Sequence, residues 1–357
     1  MTRDPLSAVR PGIRALRAYR FDPVPEGLRA KLDFNESPAD VPAEVKDAAL
    51  AAIRSRRFAH YPQFGAPRLR AALAASAGLS PDQVVASNGS GEAILAAVSV
   101  FAGCGGTLLL APPVFSLYIQ MAGIVGARVA TVPLAGDDFR LDEEAFLARA
   151  AEGERTVPLL CSPNNPTGGT IARSLVRRLC AVAPVVLLDQ AYVDFAEEED
   201  DLLPLLDELP NLVVFRTLSK ACSIAGLRVG FAAARPDVAE EIGKAILPFS
   251  IDLGAEEIAL SVLARGEEIR ARCHGIIRER ERVAAALRAL GARVAPSRAN
   301  FLFLVPPGGE GARVFRDLRT RGVLVRDQTT VVPGALRVTV GTPEENDLFL
   351  TTLKEVL

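Results

Sequence analysis

The chain has 357 residues, 49% hydrophobic and 24% charged, a balance that excludes the disordered and fibrous classes and predicts a globular protein with room for one large core and a smaller domain. Its net charge of -2 provides no global basic field, so neither nucleic acid nor a membrane is expected as a partner. Small anionic substrates remain open to it through local arginines.

The first 20 residues carry scattered arginines and prolines without a continuous apolar core. Neither a secretory signal nor an anchor is therefore expected, and the protein is assigned to the cytoplasm. Residues 93–115 are the most apolar stretch, but Gly103, Gly105, Gly106, Pro112 and Pro113 interrupt them, which fits helix, turn and strand better than a membrane span. From 106 to 234, short apolar runs at 107–110, 127–132, 157–161, 185–188, 212–215 and 229–233 alternate with helical segments at 115–125, 141–150, 171–182 and 201–209. The alternation predicts an α/β protein whose mostly parallel sheet is covered on both faces.

Beyond about residue 249 the pattern becomes one long helix over 256–290, then shorter strands and helices, as in a second, α+β domain. The expected division is an N-terminal arm (1–45) contributing to the small domain, a large domain (46–250) and a small C-terminal domain (251–357). Arginines between 270 and 288 interleave with Glu279 and Glu281 and follow Glu267 and Glu268, the pattern of a solvated, ion-paired helix face.

Cys104, Cys161, Cys180, Cys222 and Cys273 are odd in number and lack CxxC spacing, so no disulfide framework or zinc ribbon is expected. With His60 and His274 as the whole histidine complement, no metal centre is expected either.

Only five lysines stand beside a large excess of arginine, and Lys220 follows the apolar run 212–215 directly, in Leu218-Ser219-Lys220. A desolvated lysine amine can lose its proton and form a Schiff base with an aldehyde, which arginine cannot do. Asn165 and Asp189 likewise follow apolar strands, at the sheet edge where open α/β sheets bind ligands. The small-residue turn Ser87-Asn88-Gly89-Ser90-Gly91-Glu92 precedes an apolar helix, and its amides suit a phosphate. Pyridoxal 5'-phosphate, an aldehyde with a phosphate and a pyridine ring, would use all of these groups at once.

The segments Ser162-Pro163-Asn164-Asn165-Pro166-Thr167-Gly168, Asp189-Gln190-Ala191-Tyr192 and Ser219-Lys220, with Arg228 eight residues later, resemble the fold-type-I aminotransferases of the aspartate aminotransferase superfamily. Among these, Leu32-Asp33-Phe34-Asn35-Glu36-Ser37-Pro38, Ala225-Gly226-Leu227-Arg228 and Leu336-Arg337-Val338-Thr339-Val340-Gly341-Thr342 are similar to the histidinol-phosphate aminotransferases. The resemblance runs from about residue 30 to the end. It implies a large, mostly parallel α/β/α sandwich domain with a smaller α+β domain, pyridoxal phosphate as cofactor, and a homodimer.

Carried onto this chain, the resemblance makes Lys220 the cofactor-linked lysine and proton carrier, with Asp189 the partner of the ring nitrogen. Tyr192 and Asn165 bond the ring oxygen, and Phe115 stacks on the ring. The turn Ser90-Gly91-Glu92, with Ser219 and Arg228, holds the phosphate, and Tyr61 reaches the phosphate of the neighbouring subunit. Arg337 grips the substrate carboxylate, with Arg326, Asn35 and Tyr19 as further substrate contacts. The implied reaction moves an amino group between L-histidinol phosphate and 2-oxoglutarate in histidine biosynthesis. Its rivals are a threonine-phosphate decarboxylase, a broad or aromatic amino-acid aminotransferase, and a regulator built on the same fold, which would need a DNA-binding module. The chain departs from the family pattern at Gly91, where Asp is common, at Gln190 in place of Glu, and at Phe115 in place of a frequent Tyr.

Overall fold

Each of the six apolar runs forms a strand in the computed structural model of the chain, which describes residues 4–18 and 23–357. In chain order the strands are β1 (Ala30–Leu32), β2 (Val84–Asn88), β3 (Thr107–Leu110), β4 (Arg128–Thr131), β5 (Thr156–Cys161), β6 (Val186–Asp189), β7 (Leu212–Thr217), β8 (Val229–Ala233), β9 (Arg293–Val294), β10 (Phe301–Val305), β11 (Val323–Asp327) and β12 (Leu336–Thr339). The larger sheet has the order β2-β8-β7-β6-β5-β3-β4. Strands β4, β3, β5, β6 and β7 run parallel, and β8 is antiparallel to both β7 and β2. The link from β7 to β8 contains no α-helix, and a parallel return would need a helical crossover.

Every residue of β5 and β6 is buried, so these strands read as unbroken apolar runs. Alternate side chains feed two cores: Leu109, Leu160, Leu188 and Val214 on one face, Leu108, Leu159, Leu187 and Val213 on the other. The smaller sheet has the order β1-β11-β12-β10-β9, with β1 parallel to β11 and the other pairs antiparallel. Helix Pro343–Val356 closes its core with Phe349, Leu353 and Val356.

The helix expected over 256–290 is two helices, Leu253–Leu263 and Gly266–Ala289, because Arg265 leaves helical geometry at φ -110°, ψ 39°. The first packs on helices Ala43–Arg54 and Pro67–Ala77 beside the large sheet, while the second reaches the small sheet, so the break separates two cores. The helix expected over 201–209 is a 3-10 turn, Leu203–Asp207; Leu202, Leu203, Leu205 and Leu206 are all buried, which leaves no single apolar stripe for an α-helix. The expected ion-paired face is present in the Arg282–Glu279 and Arg265–Glu268 pairs, but Arg280 is 2% exposed and donates to the Phe195 and Ala299 carbonyls at 2.9 and 3.1 Å. Among the described residues no helix is long and apolar enough to cross a membrane.

Candidate functional site

Strand direction gathers the polar residues at one edge of the large sheet. The carboxyl ends of β5, β6 and β7 lie side by side, with Cys161 opposite Asp189 and Asp189 opposite Phe215. Because β8 runs the other way, its first residue meets the end of β2, Val229 opposite Asn88, which brings Arg228 and the start of helix Ser90–Phe101 to the same edge. A cavity of about 580 Å³ opens there, lined by Lys220, Asp189, Tyr192, Asn165 and Phe115, by Ser90, Gly91, Ser219 and Arg228, and by Asn35, Arg326 and Arg337.

Lys220 donates to the Phe34 carbonyl at 2.9 Å, and its ammonium lies 5.8 Å from the centre of the Tyr192 ring. Burial and, next, the Arg337 guanidinium depress its pKa to about 7, with Glu36 opposing. Asp189 is 4% exposed; burial raises its pKa, while a hydrogen bond from Tyr118, the Ala191 amide and the Lys220 charge hold it down. The Tyr192 hydroxyl accepts from the side-chain amides of Asn35 at 3.0 Å and Asn165 at 3.2 Å, and burial raises its pKa. Asn165 in turn accepts from Arg337 at 2.6 Å. The second Arg337 nitrogen donates to the Asp33 carbonyl at 2.6 Å, and Arg337 is the register partner of Arg326 across β11 and β12. Directly opposed residues of an antiparallel pair project to the same face, so the two guanidinium groups share one wall of the cavity.

A cradle lies across from these arginines. Gly89 stands at φ +76°, and a Cβ there would collide with the Arg228 guanidinium; one on Gly230 would collide with the Ser90 amide nitrogen. Arg228, itself left-handed at φ +53°, donates to Ser219 Oγ at 3.2 Å and to the Ala225 carbonyl at 3.0 Å. Thr217 Oγ1 donates to Ser219 Oγ at 2.9 Å. The two glycines thus let Arg228 and the helix start pack closely, and Arg228, the Thr217 and Ser219 hydroxyls and the amides opening helix Ser90–Phe101 line one part of the cavity, a donor set that matches a phosphate.

Two of the expected residues, Glu92 and Tyr61, do not line this cavity, and a third is not described. Glu92 is absent from the cavity wall: its carboxylate accepts from the Asn88 amide at 2.6 Å and so satisfies the turn. Tyr61 is 83% exposed and stacks on Phe249 at 4.8 Å. Tyr19 is outside the described residues. Sequence reasoning missed Tyr118, whose hydroxyl donates to Asp189 at 2.5 Å, and the pair Asn300 and Thr339 that fix the Asn35 backbone. Tyr118 follows Phe115 by three residues and its backbone amide donates to the Phe115 carbonyl at 3.1 Å, and both side chains line the cavity.

Of the departures, Gln190 has a local reason. Gln190 donates to the Asp200 carbonyl at 2.9 Å and accepts from the Leu202 amide at 3.3 Å, and a glutamate lacks the donor. At Gly91 a Cβ would meet only Leu117, at 3.9 Å, so the missing side chain is not a steric requirement. Phe115 meets Tyr118 edge-on at 5.6 Å. A larger cleft, about 840 Å³, shares Val114 and Cys161 with the site, but neither Lys220 nor Asp189 lines it.

The fold is shared with the histidinol-phosphate aminotransferase of Sinorhizobium meliloti, solved in complex with pyridoxal-5'-phosphate (TM-score 0.87, 23% identity, 98% of this chain and 97% of that one). It is shared also with L-threonine-O-3-phosphate decarboxylase from Porphyromonas gingivalis (TM-score 0.79, 24% identity, 92% of this chain and 99% of that one). In sequence the chain is 34% identical to a histidinol-phosphate aminotransferase of Desulfitobacterium hafniense, over 98% of this chain and 97% of the relative. With its namesake from Thermococcus kodakarensis it shares 37% identity, over 97% and 98%. Residues 30–353 match the family described as aminotransferase class I and II, and the chain belongs to that family of pyridoxal-phosphate-dependent enzymes.

Proposed function

We propose that this aminotransferase moves the amino group of L-histidinol phosphate to 2-oxoglutarate, giving imidazole acetol phosphate and L-glutamate, in L-histidine biosynthesis. The observation that carries the reading is the Arg326 and Arg337 pair on one wall of the cavity that holds Lys220. A two-stroke transfer needs one pocket for two substrates, and adjacent guanidinium groups suit a phosphate in one stroke and a carboxylate in the other. Relatives bearing that name, matched over nearly the whole chain, support it.

The cradle of amides, hydroxyls and Arg228, the buried carboxylate and the lysine fit pyridoxal phosphate. When bound, the cofactor supplies an aldehyde for the lysine and an electron-withdrawing ring. In our assignment Ser90, the Gly91 amide, Ser219 and Arg228 bind its phosphate, and Phe115 covers one face of its ring. Asp189 faces the ring nitrogen, while Tyr192 and Asn165 face the ring oxygen. Lys220, with a pKa near 7, is suited to take the proton from the amine-bearing carbon of the substrate and hold it at neutral pH. Arg337, held by Asn165 and the Asp33 carbonyl, presents its remaining donor capacity to a substrate carboxylate. Arg326 and Asn35 complete the substrate contacts.

We further assign residues 46–250, with helix Leu253–Leu263 that packs on them, to a cofactor-holding domain, and 1–45 with the rest of 251–357 to the smaller one, in a cytoplasmic homodimer. The exposed Tyr61, stacked on Phe249 beside Phe64, suits a residue that reaches the phosphate site of another copy. A monomer mass in sedimentation would remove this assignment.

The test of the reaction is a single stroke: L-histidinol phosphate added without any keto acid to the cofactor-loaded enzyme. Rapid loss of the visible absorbance, at concentrations where phenylalanine and threonine phosphate have little effect, is the expected result. Carbon dioxide release from threonine phosphate without a keto acid would replace this reading with a decarboxylase.

A further inference from the structure

Tyr118 is a polar side chain in the centre of the site to which the roles above assign nothing. It comes from the first turn of helix Leu117–Val125, is wholly buried, and donates to Asp189 Oδ2 at 2.5 Å. The other carboxylate oxygen accepts the Ala191 amide at 3.0 Å. Around the carboxylate stand Tyr118, the Cys161 thiol on the adjoining strand, Tyr192, and Lys220 as the cation acting on it. Burial alone would drive Asp189 toward its neutral acid, and the Tyr118 hydrogen bond is foremost among the influences pulling it back. A neutral acid has no charge to set against a protonated ring nitrogen. A phenol differs from an arginine or lysine in that place, since it steadies the carboxylate without cancelling its charge. Burial also lifts Tyr118 far above the ordinary tyrosine range, so it stays a donor.

We propose that Tyr118 is a positioning residue for amino transfer, holding Asp189 as an oriented carboxylate and thereby keeping the proton on the cofactor ring nitrogen. The proposal rests on the pairing of Asp189 with that nitrogen assigned above.

The experiment loads wild type, Tyr118→Phe and Asp189→Asn with cofactor isotopically labelled at the ring nitrogen and reads its magnetic-resonance shift beside the pH profile of kcat. In Tyr118→Phe the nitrogen moves toward its unprotonated shift at neutral pH, and kcat falls on the order of tenfold, the worth of one charge-assisted hydrogen bond. The acid limb of the profile moves to higher pH, because Asp189 without its donor holds a proton more tightly. An unchanged shift and limb in folded, loaded Tyr118→Phe overturn the proposal and leave the Asp189 pairing standing. An unprotonated nitrogen in wild type, the same in Asp189→Asn, overturns the pairing and this proposal with it. Should Tyr118→Phe fail to fold, fluorotyrosines of graded acidity at position 118 decide: a nitrogen shift that follows phenol acidity supports the role, and a flat response overturns it.

Discussion

Burial carries Lys220 from its ordinary 10.5 to about 7, and between those values the unfolded chain binds a proton that the folded chain does not. The stability of the cofactor-free protein therefore rises with pH through that window, and the lysine costs most below pH 7. Lys220→Met should stabilise the cofactor-free protein at pH 6 by roughly 1–3 kcal/mol, discounted for the opening of the amine to the cavity, with the gain fading as pH approaches 10.5. A gain that does not change with pH would mean the lysine is not depressed. For Arg337→Ala, the KM for both substrates should rise on the order of 10–100-fold with the cofactor still bound; an unchanged KM for 2-oxoglutarate would remove its role. Lys220, Asp189 and Asn165 were legible in the sequence because each follows an apolar strand at its carboxyl end. Tyr118 was not, because its function lies in which carboxylate its hydroxyl meets, a fact of packing between a helix and strand β6.

Elements fail to announce their direction as clearly as their existence. Continuous burial made β5, β6 and β7 readable, whereas nothing in Val229–Ala233 says that it runs antiparallel. That reversal nevertheless builds the cradle, since it sets Gly230 against the Ser90 amide. Gly230→Ala should force the cradle apart and weaken cofactor binding by tenfold or more while the far-ultraviolet spectrum is preserved; equilibrium dialysis of the cofactor measures it, and unchanged affinity would show that the strand shifts freely. The break at Arg265 was hidden for a different reason, as helical periodicity continues on both sides and only the backbone angles change. The short strand β2 was masked by its polar end, Ser87-Asn88, which reads as part of the following turn.

At the scale of the whole molecule, the sequence pattern implied an α/β sheet and a second α+β unit, and both sheets are present. What it could not convey is how they are tied. Arg280, within a segment that reads as a solvated helix, is buried and bonds the carbonyl of Phe195, just past Tyr192, to that of Ala299, just before β10. Arg280→Met keeps much of the volume but strips both carbonyls of their donor, and should cost roughly 2–4 kcal/mol in urea denaturation. A cost below about 0.5 kcal/mol, the ordinary range for an exposed helix position, would show that the tie carries no stability.

Strand β1 has its own consequence during synthesis. Ala30 and Leu32 pair with Val323 and Val325 and share a core with helix Pro343–Val356, and all of these partners are synthesised about 290 residues or more later. At translation rates of about 5–20 residues per second, the amino-terminal strand waits on the order of 15–60 s for its partner. The parallel strands of the large sheet have their partners long before then. The nascent enzyme thus emerges with β1 unpaired, and any factor that shields short apolar segments at the tunnel exit has that interval in which to act.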